Sequence, residues 1–299
     1  MYYFKGIDMN TIIRKCWVLL NSLKGFLYKM AVDLNILGIP NLNKQADESV
    51  VVSLTSYGRR VKNSIVFYTL ISLLRQNRQP TKIVLWLAED EWTDDSIPKR
   101  LYDLKQKGVE ICYSKDIKSY KKLIPTLQKY PTYAIVTVDD DMIYSRDTMD
   151  ALLKEHVNHP QDIICLDGRK PLIEYGIPQR YRDWEELDKE TEGLFIFPVG
   201  VGGTLYPVGS LADIVFSEDV FMRICPMADD VWFWFCGLEK GTNKRFITKK
   251  GLDLSFDSLY QYFHKGSALT HSNSGMNQND NQIKELLRYY GYNTIYEIS

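Results

Sequence analysis

The sequence predicts an α/β protein in which helices flank a mostly parallel central sheet. Two observations lead to this fold class. Short apolar runs alternate with segments of helical spacing between residues 49 and 158, and polar side chains follow the apolar runs, most clearly at Asp139, Asp140 and Asp141. Strands that alternate with helices indicate a parallel sheet. Because ligands of such sheets bind beyond the carboxyl ends of the strands, these polar side chains mark the predicted site.

Each predicted strand is a short apolar run that ends in polar residues. Valine, isoleucine and aromatic side chains favour buried strands of this kind. The polar ends are Thr55 and Ser56 in the first run, and Glu89 and Asp90 in the second. The runs occupy residues 51–56, 82–90, 109–114 and 133–138.

Helices are predicted where apolar residues recur every three or four positions. Pro98 and Gly108 bound one of them, because proline favours the first turn of a helix and glycine the position after its end. After about residue 160 the alternation fades into irregular, loop-rich sequence, and a glycine-rich segment at 197–211 lacks the residue order of a phosphate-binding loop. The predicted helices are residues 62–77, 98–107, 119–130, 146–158 and 228–241, and a polar loop is predicted at 266–282.

The composition is ordinary for a soluble globular protein, with 299 residues of which 45% are hydrophobic and 25% charged. The net charge of −1 argues against a nucleic-acid partner. The five cysteines are scattered and no two have a CxxC spacing. The sequence therefore predicts neither a disulfide framework nor a structural zinc site, and it favours a reducing, cytoplasmic location.

The N-terminal segment carries a separate helix in this interpretation. Apolar residues recur at helical spacing over residues 12–34, and Arg14, Lys15, Lys24 and Lys29 interrupt them. The longest unbroken apolar stretch is too short to span a bilayer, and no signal-peptide cleavage pattern follows it. We expect a basic amphipathic helix that lies on an anionic membrane surface, which would place the protein at the inner face of the cell membrane. The alternative is a helix packed on the main domain or on a partner subunit.

Three consecutive aspartates, Asp139, Asp140 and Asp141, end the fourth predicted strand. Like charges at the end of a buried strand repel one another and lose hydration, and a bound divalent cation relieves that cost. Because side chains alternate along a strand, Asp139 and Asp141 are expected to face one way and Asp140 the other. Such a pair suits a metal ion that also holds a pyrophosphate. A solvated acidic turn explains the same triplet without a metal.

A second acidic pair, Asp229 and Asp230, begins the helix predicted at 228–241. Aspartate is a favourable N-cap, which is the structural explanation for one member of the pair. The other member is then available for a different role. A carboxylate beside Trp232 and other apolar residues can have a raised pKa and act as a general base.

The order of six sequence segments resembles that of a known family. The segments are VVSLTSYGRR, LISLLRQNRQPTKIVLWLAEDE, SYKKLIPTL, IVTVDDDMIY, GVGGTLYPVGSL and CPMADDVWFWF. Together they resemble bacterial GT-A type glycosyltransferases of surface polysaccharide synthesis, over roughly residues 49–240 and, more weakly, in the tail NDNQIKELL. The resemblance implies a GT-A-like fold of nucleotide-diphospho-sugar transferases. It implies that Asp139 and Asp141 hold Mg²⁺ or Mn²⁺ against the donor's diphosphate, with Asp141 the direct ligand, and that Asp230, or else Asp229, deprotonates the acceptor.

The same resemblance implies further contacts with the donor. Lys121 or Lys122 would help to neutralise the diphosphate, although such lysines are more often solvated helix residues. His264 and His271 are late candidates for a histidine metal ligand, with ordinary surface histidines as the alternative. The residues expected to border the nucleotide, in the turn after the first strand, are Thr55, Tyr57 and Arg59.

The function predicted from the sequence is a metal-dependent, inverting glycosyltransferase. It would use Mn²⁺ or Mg²⁺ and move a sugar from a nucleotide-diphosphate donor to a glycan or lipid-linked acceptor. One alternative is a nucleotidyltransferase that makes the sugar nucleotide, although the first strand is not followed by a glycine-rich, arginine-containing loop. The other is a non-enzymatic, membrane-associated glycan-binding protein. The predicted organisation is an arm at 1–45, a catalytic domain at 46–265 and a tail at 266–299.

Overall fold

The computed structural model describes residues 9–43, 49–248, 254–255 and 278–298. The side chains of the first helix are described at Cys16 and from residue 19 onward. The α-helices in these ranges are α1 (Met9–Asp33), α2 (Gly58–Lys62), α3 (Ile65–Leu74), α4 (Lys99–Tyr102), α5 (Ile124–Lys129), α6 (Thr148–Asn158), α7 (Glu218–Ile224), α8 (Asp229–Glu239) and α9 (Gln278–Tyr290). Single 3₁₀ turns lie at Asp103–Lys107, Lys118–Lys122, Tyr181–Asp183, Gly200–Gly202, Asp213–Phe216 and Ile295–Glu297.

The strands are mostly short, and the longer ones come first in the chain. They are β1 (Val50–Thr55), β2 (Lys82–Ala88), β3 (Val109–Ser114), β4 (Ala134–Thr137), β5 (Met142–Ile143), β6 (Ile163–Cys165), β7 (Gly168–Lys170), β8 (Ile173–Glu174), β9 (Ile177–Pro178), β10 (Glu185–Glu186), β11 (Thr191–Gly193), β12 (Phe197–Pro198), β13 (Thr204–Tyr206), β14 (Lys244–Phe246) and β15 (Leu254–Ser255).

Eight of the described strands form one mixed sheet in the order β11-β14-β6-β13-β4-β1-β2-β3. Strand β1 pairs in parallel with β2 and with β4, and β2 pairs in parallel with β3. Strand β13 is antiparallel to both of its neighbours, β4 and β6. The mostly parallel α/β architecture predicted from the sequence is therefore confirmed, with an antiparallel strand inside it.

The sheet separates two layers of helices, because neighbouring residues of its central strands point to opposite faces. Val136 of β4 belongs to the core cluster that α3 and α6 cover. Ile135, its neighbour, belongs to the cluster that α8 and α9 cover. Both residues are fully buried. Burial on both faces explains why the first strands are continuous apolar runs rather than alternating ones.

The helix predicted at 62–77 is α3 (Ile65–Leu74) in the structure, and α2 (Gly58–Lys62) precedes it as a separate helix that the sequence did not predict. Helix α2 ends at Lys62, and Ser64 has a left-handed backbone (φ 55°, ψ 33°) before α3 begins. A non-glycine residue in this region interrupts a right-handed helix, since its carbonyl direction differs from that of its neighbours. The interruption ends α2 shortly after Arg60, a residue of the candidate site.

The glycine-rich segment at 197–211 contains a strand that the sequence did not predict. Strand β13 lies in the middle of the main sheet, although it has only three residues between Gly203 and Pro207. Residues 278–282 of the polar loop predicted at 266–282 are helical, because α9 begins at Gln278. The first part of that predicted loop, residues 266–277, lies outside the described residues.

Helix α1 packs against the main domain along one face. Asn21 and Val32 are buried, and Val32 joins the core cluster of α3. Near its end, Tyr68 donates a hydrogen bond to Asp33 (2.8 Å), and Arg100 forms an ion pair with the same carboxylate (2.7 Å). Among the described helices none is both long and apolar enough to cross a membrane.

The burial of a lysine on strand β14 can be tested through the pH dependence of stability. Lys244 is fully buried, and its ammonium donates hydrogen bonds to the carbonyl oxygens of Leu194 (2.8 Å) and Thr242 (3.0 Å). Burial lowers its pKa to about 7. The unfolded chain therefore binds more protons than the folded chain between about pH 7 and pH 10. We expect the unfolding free energy to rise over this range by up to about 1.4 kcal/mol per pH unit from this group.

The matched variant is Lys244→Met, which keeps the length of the side chain and removes the titration. Urea unfolding at pH 7, 8 and 9 should show the wild-type stability rising relative to the variant. Two stability curves that stay parallel across this range would contradict a lowered pKa at Lys244.

Candidate active site

The three aspartates lie on a turn rather than on a strand. Strand β4 ends at Thr137, and residues 140 and 141 form the turn that leads into β5. Asp140 and Asp141 are both buried and both form ion pairs with Arg60. Asp139 points to a different cation, the ammonium of Lys122 at 3.5 Å. The expected alternation, with Asp139 and Asp141 on one side, is therefore wrong, because strand geometry ends before the triplet.

Side chains from three elements hold the aspartate turn in place. The Ser56 hydroxyl, just after β1, donates a hydrogen bond to the Asp140 carboxylate (2.5 Å). The Thr69 hydroxyl on α3 donates to the Asp140 backbone carbonyl (2.9 Å). The backbone N–H of Asp139 donates to the Tyr144 hydroxyl (2.8 Å). The carboxylates are thus positioned by packed core elements, which is what a preorganised site requires.

Arg60, which pairs with Asp140 and Asp141, was not predicted from the sequence. Burial disfavours its charge, but Asp140 and Asp141 outweigh burial and hold the pKa of the guanidinium above its usual value. Burial also raises the pKa of Asp140, although Arg60 opposes that shift. Arg59, the arginine predicted at this turn, is exposed. The adjacent arginines Arg59 and Arg60 indicate a basic turn in the sequence. Their positions in helix α2 decide that Arg60 is the one that contacts the aspartates.

Lys122 joins the aspartate turn to the second acidic pair. It lies in the 3₁₀ turn before α5, and its ammonium is 2.9 Å from Asp229 and 3.5 Å from Asp139. Burial opposes its charge, but Asp229, Asp139 and Asp230 prevail and hold its pKa well above the usual value. Lys121 is turned away and pairs with Asp116. The alternative in which both lysines are solvated is wrong, since both are buried.

Asp229 and Asp230 begin α8, but neither acts as an N-cap. The cap position is Ala228, without a side-chain hydrogen bond. Asp229 pairs with Lys122, whereas Asp230 accepts a hydrogen bond from the backbone N–H of Gly200 (3.2 Å). Burial and the negative charge of Asp229 raise the pKa of Asp230 to about 7. A carboxylate with this pKa can take up a proton near neutral pH, which is the property of a general base.

The backbone at Gly200 lies against this pair of charges. A methyl group built on Gly200 would be 2.9 Å from the Asp230 carboxylate oxygen and 3.0 Å from the Lys122 ammonium nitrogen. The glycine-rich segment was expected to allow tight turns or close approach of a substrate. At this position the close approach is made by Asp230 and Lys122 themselves.

The remaining predicted residues make other contacts or are exposed. The Thr55 hydroxyl donates to the Trp86 carbonyl on β2 (3.0 Å). The Tyr57 ring is half exposed, with the Arg60 guanidinium 5.6 Å from its centroid. Glu89 and Asp90 are exposed at the end of β2. His264 and His271 lie outside the described residues.

The aspartate turn carries carboxylate oxygens, which are the ligand type that hard divalent cations prefer. Within the described ranges, no three histidine, cysteine, aspartate or glutamate side chains converge as a complete metal-binding group. Mg²⁺ commonly binds through one or two carboxylates together with substrate phosphates and water. Asp139 retains 34% exposure of its side chain and can present an oxygen to solvent. Asp139 therefore offers an accessible oxygen to such an ion, whereas the Asp141 carboxylate is buried and paired with Arg60.

Comparison with known proteins gives structural similarity only. No family model matches the chain, and no curated protein matches its sequence. The chain is similar to crystal structures of S. aureus TarS: TarS 1-349 in complex with UDP has 13% identity and a TM-score of 0.46 over 82% of this chain and 72% of that one. The TarS structure has 16% identity and a TM-score of 0.47 over 82% of this chain and 43% of that one. TarS 1-349 in complex with UDP-GlcNAc has 12% identity and a TM-score of 0.43 over 68% of this chain and 56% of that one. TM-scores below 0.5 at such identities assign neither an activity nor a substrate.

Gly200→Ala should disturb the charge cluster. The added methyl group meets two charged atoms at less than ordinary contact distance, so the site must shift. We expect destabilisation by about 1–3 kcal/mol, the usual cost of overpacking, measured by urea unfolding. Gly38→Ala is the control, since a methyl group there meets nothing within 4 Å. Equal stability of the two variants would show that the cluster is looser than the structure indicates.

Proposed function

We propose that this chain is a metal-dependent glycosyltransferase that transfers a sugar, with inversion, from a nucleotide-diphosphate donor to a glycan or lipid-linked acceptor. One observation carries the proposal. The buried ammonium of Lys122 brings the aspartate turn and the Asp229–Asp230 pair together at the carboxyl edge of an α/β sheet. This adjacency supports the proposal, because a transferase needs donor-binding carboxylates and a proton acceptor close together, whereas a structural acidic turn does not.

In this proposal the aspartate turn is the donor side of the site. When bound, Mg²⁺ or Mn²⁺ held by Asp139 and Asp141 would neutralise the negative charge of the departing diphosphate. Arg60 fixes Asp141 through an ion pair of 2.8 Å, so the carboxylate does not have to be ordered when the donor arrives. Lys122 adds a permanent positive charge beside Asp139.

Asp230 is the acceptor side of the site. The acceptor hydroxyl attacks the anomeric carbon, the bond from that carbon to the diphosphate oxygen breaks, and Asp230 takes the hydroxyl proton. A direct displacement of this kind inverts the anomeric centre. The pKa of about 7 suits Asp230 to the task, because a base is most effective when its pKa lies near the working pH. The hydrogen bond from Gly200 orients the carboxylate.

Asp230→Asn tests the base. We expect kcat to fall by about 10²–10⁴-fold, with donor affinity little changed, because a general base acts in the transition state. In the wild-type enzyme kcat/KM should rise about tenfold per pH unit up to about pH 7 and then level off, since Asp230 must lose its proton to act. The variant should lack this dependence.

Asp229→Asn is the matched control for the assignment within the pair. It keeps the position and size of the side chain but removes the charge that Lys122 contacts at 2.9 Å. If Asp229→Asn loses the pH dependence and Asp230→Asn retains it, the roles of the two residues are reversed. Collapse of nucleotide binding in Asp230→Asn would instead make this residue part of the donor site.

Asp141→Ala tests the donor side. Calorimetric titration with UDP, GDP and dTDP, each with and without Mn²⁺, should show metal-dependent binding of at least one nucleotide to the wild-type chain. Asp141→Ala should abolish the metal-dependent part. Asp150→Ala, which removes an exposed acid of α6, should bind like the wild type. The nucleotidyltransferase alternative predicts a different reaction. With pyrophosphate present, the chain would convert a sugar nucleotide into a nucleoside triphosphate and a sugar phosphate.

A further inference from the structure

Helix α1 presents a continuous apolar stripe to the outside of the described molecule. Seven large apolar side chains on it, and just after it, are each 41–62% exposed. With about 100° of rotation per residue, all of them fall within roughly 60° of Leu23. Scattered exposed apolar residues are normal, but a contiguous patch marks an interaction surface. The members of this stripe are Leu19, Leu20, Leu23, Phe26, Leu27, Met30 and Leu34.

The opposite face of α1 fixes the stripe in its outward orientation. Asn21 and Val32, roughly half a turn away from Leu23, are buried against the main domain. The carboxylate of Asp33 is held by the Tyr68 hydroxyl (2.8 Å) and by Arg100 (2.7 Å). Because the polar contacts and the buried side chains lie on the domain side, α1 cannot bury the stripe by rolling over without losing them.

Positive charge accompanies the stripe. Helix α1 contains Arg14, Lys15, Lys24 and Lys29, and its sequence has no acidic residue before Asp33. On the helical projection Lys24 lies about 100° to one side of Leu23. Lys24 is exposed. An apolar face bordered by an exposed lysine, on a helix whose charged residues before Asp33 are all basic, is the arrangement of helices that lie in a membrane interface.

We propose that the α1 stripe docks this protein on an anionic lipid surface, with the helix parallel to the membrane. The charge pattern decides between occupants. Phosphate headgroups would meet the exposed Lys24 beside the inserted stripe, and its charge would contribute favourably. A second copy of α1 packed symmetrically on the stripe would bring two positively charged helices together. Repulsion between them disfavours that pairing. The helix is too polar to span a bilayer, so the contact is peripheral.

The test uses the full chain and vesicles, without donor or acceptor, so its result is independent of the proposed transfer reaction. The chain should co-sediment with vesicles of equal parts phosphatidylglycerol and phosphatidylcholine at low ionic strength. Binding to phosphatidylcholine alone should be much weaker, and salt should weaken the anionic binding. The double variant Leu23→Gln/Leu27→Gln should lower the partition coefficient at least about tenfold. Lys24→Gln should lower it about fivefold at low salt and little at high salt.

Matched controls use the same substitutions on surfaces away from α1. Leu172→Gln/Val157→Gln changes two exposed apolar residues, and Lys154→Gln removes an exposed charge on α6. Both should bind vesicles like the wild type, and circular dichroism should show that every variant is folded. Failure of the wild-type chain to bind anionic vesicles at low salt would overturn the proposal. Equal losses in the control variants would also overturn it. A dimer in sedimentation equilibrium that Leu23→Gln/Leu27→Gln dissociates, without vesicle binding, would assign the stripe to a second copy.

Discussion

The candidate site depends on one ion pair, between the ammonium of Lys122 and the carboxylate of Asp229 at 2.9 Å. A buried ammonium is costly unless carboxylates compensate it closely, and removal of one partner leaves a buried charge. Lys122 comes before β4, and Asp229 begins α8, so the pair joins the early parallel part of the sheet to the later region. Asp139 and Gly200 approach the same ammonium from two further segments. Four segments of the chain are thereby held around one charge.

The part of the fold that the sequence predicted well is the part with strong local signals. Strands β1, β2, β3 and β4 are apolar runs of four to seven residues, and the helices between them have clear spacing. Strand β13 has three residues, and its place between β4 and β6 is fixed by pairing with distant segments. Such pairing leaves no local pattern. Likewise, the break between α2 and α3 depends on the left-handed backbone of Ser64, which a serine in the sequence does not predict.

The candidate site was predicted in its residue types more than in its contacts. The acids at 139–141 and the pair at the start of α8 were identified because carboxylates beside apolar runs are unusual. Their partners could not be deduced, because Arg60 and Asp140 are 80 residues apart and the turn after Val138 ends the alternation of a strand. The burial of Lys122 was also invisible locally, since a lysine in a helical segment is normally exposed. The metal and the base remain predictions.

The shared ammonium has a thermodynamic consequence. Asp230 titrates near neutral pH in a field set partly by Lys122, while Lys122 also faces Asp139 on the opposite side. Any ligand that changes the charge around Asp139 must therefore change the proton affinity of Asp230. By the reciprocity of linked equilibria, the protonation of Asp230 must alter the affinity for that ligand by the same factor. A ligand that binds at the aspartate turn would thus be accompanied by proton uptake or release, and its binding heat would vary with the ionisation enthalpy of the buffer.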